Sequence, residues 1–298
     1  MAVLARPGSL PSQRLAAAIV AARPRSWRLA LLGLSVLFLG VLFALPVARV
    51  ILMSVDAPHF TLKYYVDFLT VPVYSQVLYL TFRIAAIVTV VCLLLGYPVA
   101  YLIASARPSV GRILLVLVLL PFWVSLLVRS YAWMVILGRA GIVNQLLLGL
   151  GVVQEPLQLM FNTLGVVVGM THILLPFMVL PLYSVMRGID RRLLQAASNL
   201  GASPWRAFWT VFFPLSLPGV GAGCLLVFIQ SLGFFITPAL LGGSGDVMIA
   251  QLIENQVRQL VNWQFASAQA VVLLVAAVVV LAVFNRVLGL ERIWSTRV

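Results

Sequence analysis

Acidic residues are scarce in this chain: 7 among 298 positions, against 20 lysines and arginines. Charged residues total 9% and hydrophobic ones 63%. A water-soluble domain carries roughly a quarter charged residues, so a soluble fold is excluded. None of the seven acids lies deep in an apolar run, and ion-coupled carriers place carboxylates there. A polytopic membrane enzyme would need clustered His, Asp or Glu at that depth, where only His172 stands. The two cysteines, Cys92 and Cys224, sit inside apolar stretches and read as small hydrophobes rather than a disulfide. The sequence contains no HExxH, no paired-cysteine motif and no glycine-rich phosphate loop in a strand-to-helix context. No metal or other cofactor is therefore expected, and any ATP consumption belongs to a partner.

What the chain has in abundance is long apolar runs. About 20 helical residues cross the roughly 30 Å of membrane hydrocarbon. Runs near 29–53, 76–104, 113–137, 162–186, 217–241 and 267–289 predict six transmembrane helices and an all-α polytopic membrane protein. Residues 1–28 form an N-terminal tail. The first run is too long for a signal-peptide core, and no small-residue cleavage site follows it, so it is expected to remain as an uncleaved helix.

Six spans place both termini on one side, and arginine decides which. With the N-terminus inside, the inner segments hold Arg6, Arg14, Arg23, Arg25, Arg28, Arg107, Arg112, Arg187, Arg191, Arg192, Arg206, Arg286, Arg292 and Arg297. The outer segments hold only Lys63, Arg139 and Arg258. The positive-inside rule then makes both termini cytoplasmic. The same clustering accounts for the net charge of +13 without nucleic acid, which is not an expected partner. Helix-breaking residues recur within the spans: Gly96-Tyr97-Pro98, Pro121, Pro176 with Pro181, and Gly233 near Pro238. Kinks are expected at these points, either as ordinary packing features or as part of a bundle that flexes.

The inner segment 187–216 has the chemistry of a gripped surface. Asp190 is a plausible N-cap for a helix over 191–200, and Gly201 can end it in a left-handed conformation. Ser203-Pro204 restarts a helix over 204–212 with serine as cap and proline at the first position. That helix presents Trp205, Arg206, Phe208 and Trp209, side chains suited to an interface anchor.

These residues carry a resemblance. Ala196, Ala197, Gly201 and Pro214 fit the E-A-A-x3-G-x9-I-x-L-P pattern in the cytoplasmic loop of type I ABC-transporter permeases, with Val211 and Phe213 as apolar substitutes. Gln195 stands where that family has glutamate, keeping the length and acceptor while losing the charge. Over roughly 70–290 the chain also resembles the spermidine/putrescine-type members, through Leu120-Pro121-Phe122-Trp123, Val128-Arg129-Ser130-Tyr131-Ala132-Trp133, Thr237 to Gly243, Met248-Ile249-Ala250 and Asn262 to Ala268.

The resemblance implies an importer permease fold over 70–290 in the bacterial inner membrane, with transport by alternating access. Its implied partners are a cytoplasmic ABC ATPase dimer, a second and related permease subunit, and a periplasmic solute-binding protein. The implied ATPase-coupling residues are Gln195, Ala196, Ala197, Gly201, Ser203, Trp205, Arg206, Phe208 and Pro214. The implied solute is a polyamine or a related small polar compound.

Three further residues mark a candidate substrate pathway. Arg83 and Arg129 lie about 10–12 Å below the outer boundary of their spans, given a rise of ~1.5 Å per residue. An arginine at the bilayer centre costs at least about 2.5–3.5 kcal/mol, so each faces a watery cavity, pairs with a partner or snorkels outward. Two cavity-facing arginines would oppose a cationic polyamine. His172, near the middle of the fourth span, is either a packing histidine or a ligand contact.

Overall fold

The computed structural model describes residues 25–288. The expectations for residues 1–24 and for the end of the chain lie outside these. All regular structure among the described residues is helical. The first helix, α1 (Arg25–Ser54), belongs through Met53 to a unit of its own; it contains Pro46, and most of the apolar side chains described from Leu32 onward, Phe43 among them, are exposed. Among the described residues six helical stretches are long and apolar enough to cross a membrane.

The second unit opens with the short helix α2 (Lys63–Thr70) and the long α3 (Pro72–Ser105). Proline starts α3 at its first turn, where no N–H is needed. Arg107, extended because it precedes Pro108, separates α3 from α4 (Pro108–Leu119). The stretch 113–137, expected as one helix, is two. After α4 come a 3₁₀ turn at Leu120–Trp123 and extended backbone at Val124 and Ser125, and then α5 (Leu126–Leu137). Pro121 cannot donate to the ladder, and the chain re-aims there.

A short α6 (Ile142–Gly149) follows. Asn144, fully buried, holds the loop after it by donating to the Gly138 and Leu157 carbonyls and accepting the Leu157 N–H. Then come α7 (Thr163–Arg187), α8 (Arg191–Asn199) and α9 (Pro204–Ala207). The expected fifth span, 217–241, also divides into α10 (Phe213–Leu232) and α11 (Ile236–Leu241), interrupted at Gly233. Helices α12 (Ile249–Arg258) and α13 (Trp263–Leu288) complete the unit.

Pro98, Pro176 and Pro181, by contrast, stay inside uninterrupted helices. Helices α3, α7 and α10 form the densest packing in the unit, and in such a setting neighbouring helices re-satisfy the carbonyls that proline frees. Met178 of α7 is at the centre, fully buried. A Cβ at Gly223 of α10 would lie 2.7 Å from its Sδ and 3.1 Å from its carbonyl oxygen; one at Gly96 of α3 would lie 2.9 Å from its Cγ. Small residues let backbones approach closely where the apolar environment offers no hydrophobic drive.

At the far end of the bundle from α8, the start of α7 is tied down. Asn162 caps it by accepting the Gly165 N–H at 3.0 Å. The buried Asp246 carboxylate accepts from the Thr163 hydroxyl and from the Gly243 N–H, joining α7 to the loop after α11.

Candidate functional site

The segment between α7 and α10 folds as its local chemistry dictates. Asp190 accepts the Arg192 N–H at 2.9 Å and caps α8. Gly201 takes φ +84, a left-handed conformation that stops the helix. Ser203 Oγ then accepts the Arg206 N–H at 3.3 Å, with Pro204 in the first turn of α9. The expected helix over 204–212 differs in one respect. Its last five residues, Phe208–Phe212, form a π turn that runs directly into α10. The cause lies just downstream: Pro214 offers no N–H, and its ring would strike the Thr210 carbonyl in a regular α-helix. Residues 204–232 are consequently one continuous rod from the loop into the membrane core.

The structure separates the implied coupling residues into two groups. Trp205, at 71% exposure, and Arg206 face outward. Gln195, Ala196, Gly201, Ser203 and Pro214 are exposed as well, and Ala197 is half-buried. Gln195 borders a cleft of about 370 Å³ that Arg187, Arg191, Leu194 and Tyr101 also line. Phe208, on which the Trp205 ring stacks at 6.4 Å, reaches inward. Its ring meets Tyr97 at 6.3 Å, Tyr101 at 5.7 Å and Trp209 at 5.2 Å, edge to face in each case. Phe212 packs on Tyr101 at 5.1 Å, and the Tyr97 hydroxyl hydrogen-bonds Ser216 at 2.9 Å. On the opposite flank, Arg191 Nη2 donates to the Ala104 and Ser105 carbonyls, which close α3.

The rod from α9 is thus clamped to the end of α3 by aromatic rings, and α8 is clamped there by a guanidinium. Tyr97, Tyr101 and Arg191 were missed by the motif reading. The i, i+4 spacing of the two tyrosines at the end of the second span was the available signal.

The pathway residues separate too. Arg129 and His172 stand on α5 and α7, and the intervening Trp133 donates its indole N–H to His172 Nδ1 at 3.2 Å. Arg129 is half-buried, and its Nε is buried without a hydrogen-bond partner. His172 also borders an apolar cleft of about 410 Å³ between α3, α4 and α7. Arg83 is elsewhere: it projects from the exposed face of α3 that carries Tyr79 and Val90, opposite the buried Ile84, Ala85 and Val88. No group of three or more His, Cys, Asp or Glu side chains among the described residues could hold a metal ion.

Comparison with known proteins fits this arrangement. The family described as binding-protein-dependent transport system inner membrane component matches residues 93–290. The spermidine/putrescine transport system permease protein PotB of Haemophilus influenzae is 39% identical over 215 residues, 72% of this chain and 75% of the relative. PotB of Escherichia coli K12 is also 39% identical, over 227 residues, 76% of this chain and 82% of that protein. Among solved structures, a bacterial alginate ABC transporter in complex with its alginate-bound periplasmic protein superposes with a TM-score of 0.73. That superposition covers 88% of this chain and 94% of the other at 16% identity, and it speaks to the fold alone. The chain therefore belongs to the binding-protein-dependent inner membrane component family: it is a multi-pass permease subunit of a bacterial inner-membrane ABC importer, a transport component whose ATP is hydrolysed by a separate subunit.

Proposed function

We propose that this permease forms the translocation pathway for a polyamine of the spermidine/putrescine class or a related small polar solute. It works by alternating access, with a second, related permease subunit, a cytoplasmic ABC ATPase dimer and a periplasmic solute-binding protein. The relatives named as spermidine/putrescine permeases support the solute class. The arginine distribution supports cytoplasmic termini and a cytoplasmic 187–216 loop.

The observation that carries the mechanism is the continuous rod from Pro204 to Leu232. Its loop end exposes Trp205 and Arg206, an aromatic and a guanidinium suited to filling a groove on the ATPase. Further along, the rod packs against α7 through Gly219 and Gly223, and against α3. A shift imposed at Trp205 therefore reaches the bundle without passing through a flexible joint. Packed interfaces with two discrete arrangements turn small shifts into larger ones. Gln195, sharing its cleft with Arg187 and Arg191, makes a weaker polar contact than an acid would, so the contact rests on Trp205 and Arg206.

The membrane arginines need not oppose a cation. Arg83 lies off the packed core, on a face suited to the second permease subunit or to lipid. Arg129 sits between α5 and α7 beside the Trp133–His172 bond and works by positioning this part of the pathway wall.

The test is uptake in vesicles holding the whole transporter. Labelled spermidine or putrescine should enter only with the binding protein and ATP, and ion gradients should not substitute. Gradient-driven uptake by this chain alone would overturn the reading.

A further inference from the structure

Four arginines converge on one concavity at the α8 end of the bundle. Arg107, Arg112, Arg187 and Arg191 line a pocket of about 590 Å³, together with Tyr183 and Ser105. No acid lines it. The nearest in sequence, Asp190, is occupied in capping α8 through the Arg192 N–H. The ion pairs among the described residues, His59–Asp56 and Arg258–Glu254, lie elsewhere.

The guanidinium groups are only partly used within the protein. Arg191 Nη2 holds the end of α3, Arg187 Nη1 donates to Tyr183, and Arg112 Nε donates to Pro108 of its own helix. A guanidinium carries five N–H donors, so each of these three has others to offer. The pocket also receives the N-terminus of the twelve-residue α4, where Arg107 at the cap position supplies no side-chain acceptor. First-turn amides and the helix dipole favour an anion there.

A second observation indicates what carries the anion. Arg112 also borders a shallow, open apolar face of α4 formed by Ile113, Val116 and Leu117. Those three side chains are exposed on a short apolar helix. A headgroup-sized basic pocket thus adjoins, through Arg112, an exposed apolar helix face against which an acyl chain can lie. A free phosphate would use the first and ignore the second.

We propose that this pocket binds the phosphate of an anionic phospholipid, with an acyl chain lying along α4. Basic pockets between membrane helices are a recognised way of holding such headgroups. The bound phosphate joins the end of α3, the start of α4, the end of α7 and the start of α8. It fixes the base of the 187–216 loop from the membrane side, whichever solute is carried and whatever docks on Trp205.

The test uses the full-length chain with its transporter partners, purified from membranes and examined by native mass spectrometry for retained phosphatidylglycerol or cardiolipin. Wild type should retain the lipid. Each arginine near an anionic headgroup is worth about fivefold in affinity, so R112Q/R187Q should lose roughly thirtyfold. R112K/R187K should keep most of the binding, and R139Q, a charge loss far from the pocket, should not affect it. If the glutamine pair fails to assemble, R112Q alone, whose bond is within its own helix, carries the same comparison. Equal retention by wild type and the glutamine variant would sink the proposal. So would thermal protection by inorganic phosphate that phosphatidylglycerol vesicles do not reproduce, because the site would then serve a free anion.

Discussion

The Phe208 ring meets Tyr101 edge to face, with centroids 5.7 Å apart and planes at 90°. This contact joins the loop to the end of α3, and Tyr97 and Phe212 extend it. Phe208→Leu keeps the bulk and removes the ring interactions, each worth about 0.5–1.5 kcal/mol. The expected result is a destabilisation of about 1–2 kcal/mol, read as a lower melting temperature in detergent, and transport that falls faster than ATPase activity. An unchanged ratio of transport to hydrolysis would show that the clamp has no part in coupling.

Trp205 and Arg206 should behave in the opposite way. Both are exposed, and surface substitutions usually shift stability by no more than about 0.5 kcal/mol. Arg206→Ala should leave melting unchanged and Trp205→Ala should lower it only through its exposed ring contacts with Phe208 and Trp209, while the pair weakens ATPase association by about 2 kcal/mol or more, the scale of an interface hot spot. Co-purification of the ATPase measures this directly.

Gly223 and Gly233 provide a paired test of the packed core. A Cβ at Gly223 meets Met178 at 2.7 Å, whereas one at Gly233 meets nothing within 4 Å. Gly223→Ala should cost about 1–3 kcal/mol through overpacking. Gly233→Ala should be close to neutral. Equal melting temperatures for the two variants would contradict the packing of α7 on α10.

The Trp133–His172 bond suits a double-mutant cycle. Hydrogen bonds between membrane helices contribute on average about 0.6 kcal/mol and at most about 1.7. Trp133→Phe and His172→Ala should therefore couple by about 0.6–1.7 kcal/mol. Arg129→Ala, next to this pair, should lower uptake while assembly with the partners stays intact. Normal uptake would remove Arg129 from the pathway.

Much of this was legible in the sequence because it depends on neighbouring residues alone. Asp190, Gly201 and Ser203-Pro204 end and restart helices by contacts within a few positions, and all three behave as their types require. Four of the six expected runs lie within a few residues of long apolar helices, whereas those expected at 113–137 and 217–241 correspond to helical stretches at Leu126–Gly149 and Pro204–Leu232. The prolines differ from one another. Pro121 breaks the third span, yet Pro98, Pro176 and Pro181 leave their helices continuous. The difference lies in what packs around each proline, which a local reading cannot supply.

The sequence by itself determined that this chain crosses a membrane, that its arginines gather at one set of loops, and that residues 190–214 carry two helices joined by a turn. Each follows from composition or from spacing along the chain. Only the tertiary structure decided that Phe208 faces Tyr97 and Tyr101 while Trp205 faces outward, and that Arg129, but not Arg83, lies beside the Trp133–His172 bond. It also brought Arg107, Arg112, Arg187 and Arg191 around one pocket. The physical reason is shared by all three. Which face of a helix is covered depends on distant neighbours, as Phe208 depends on Tyr97 and Tyr101, and apolar periodicity, the usual guide, is nearly silent in helices that are hydrophobic all round.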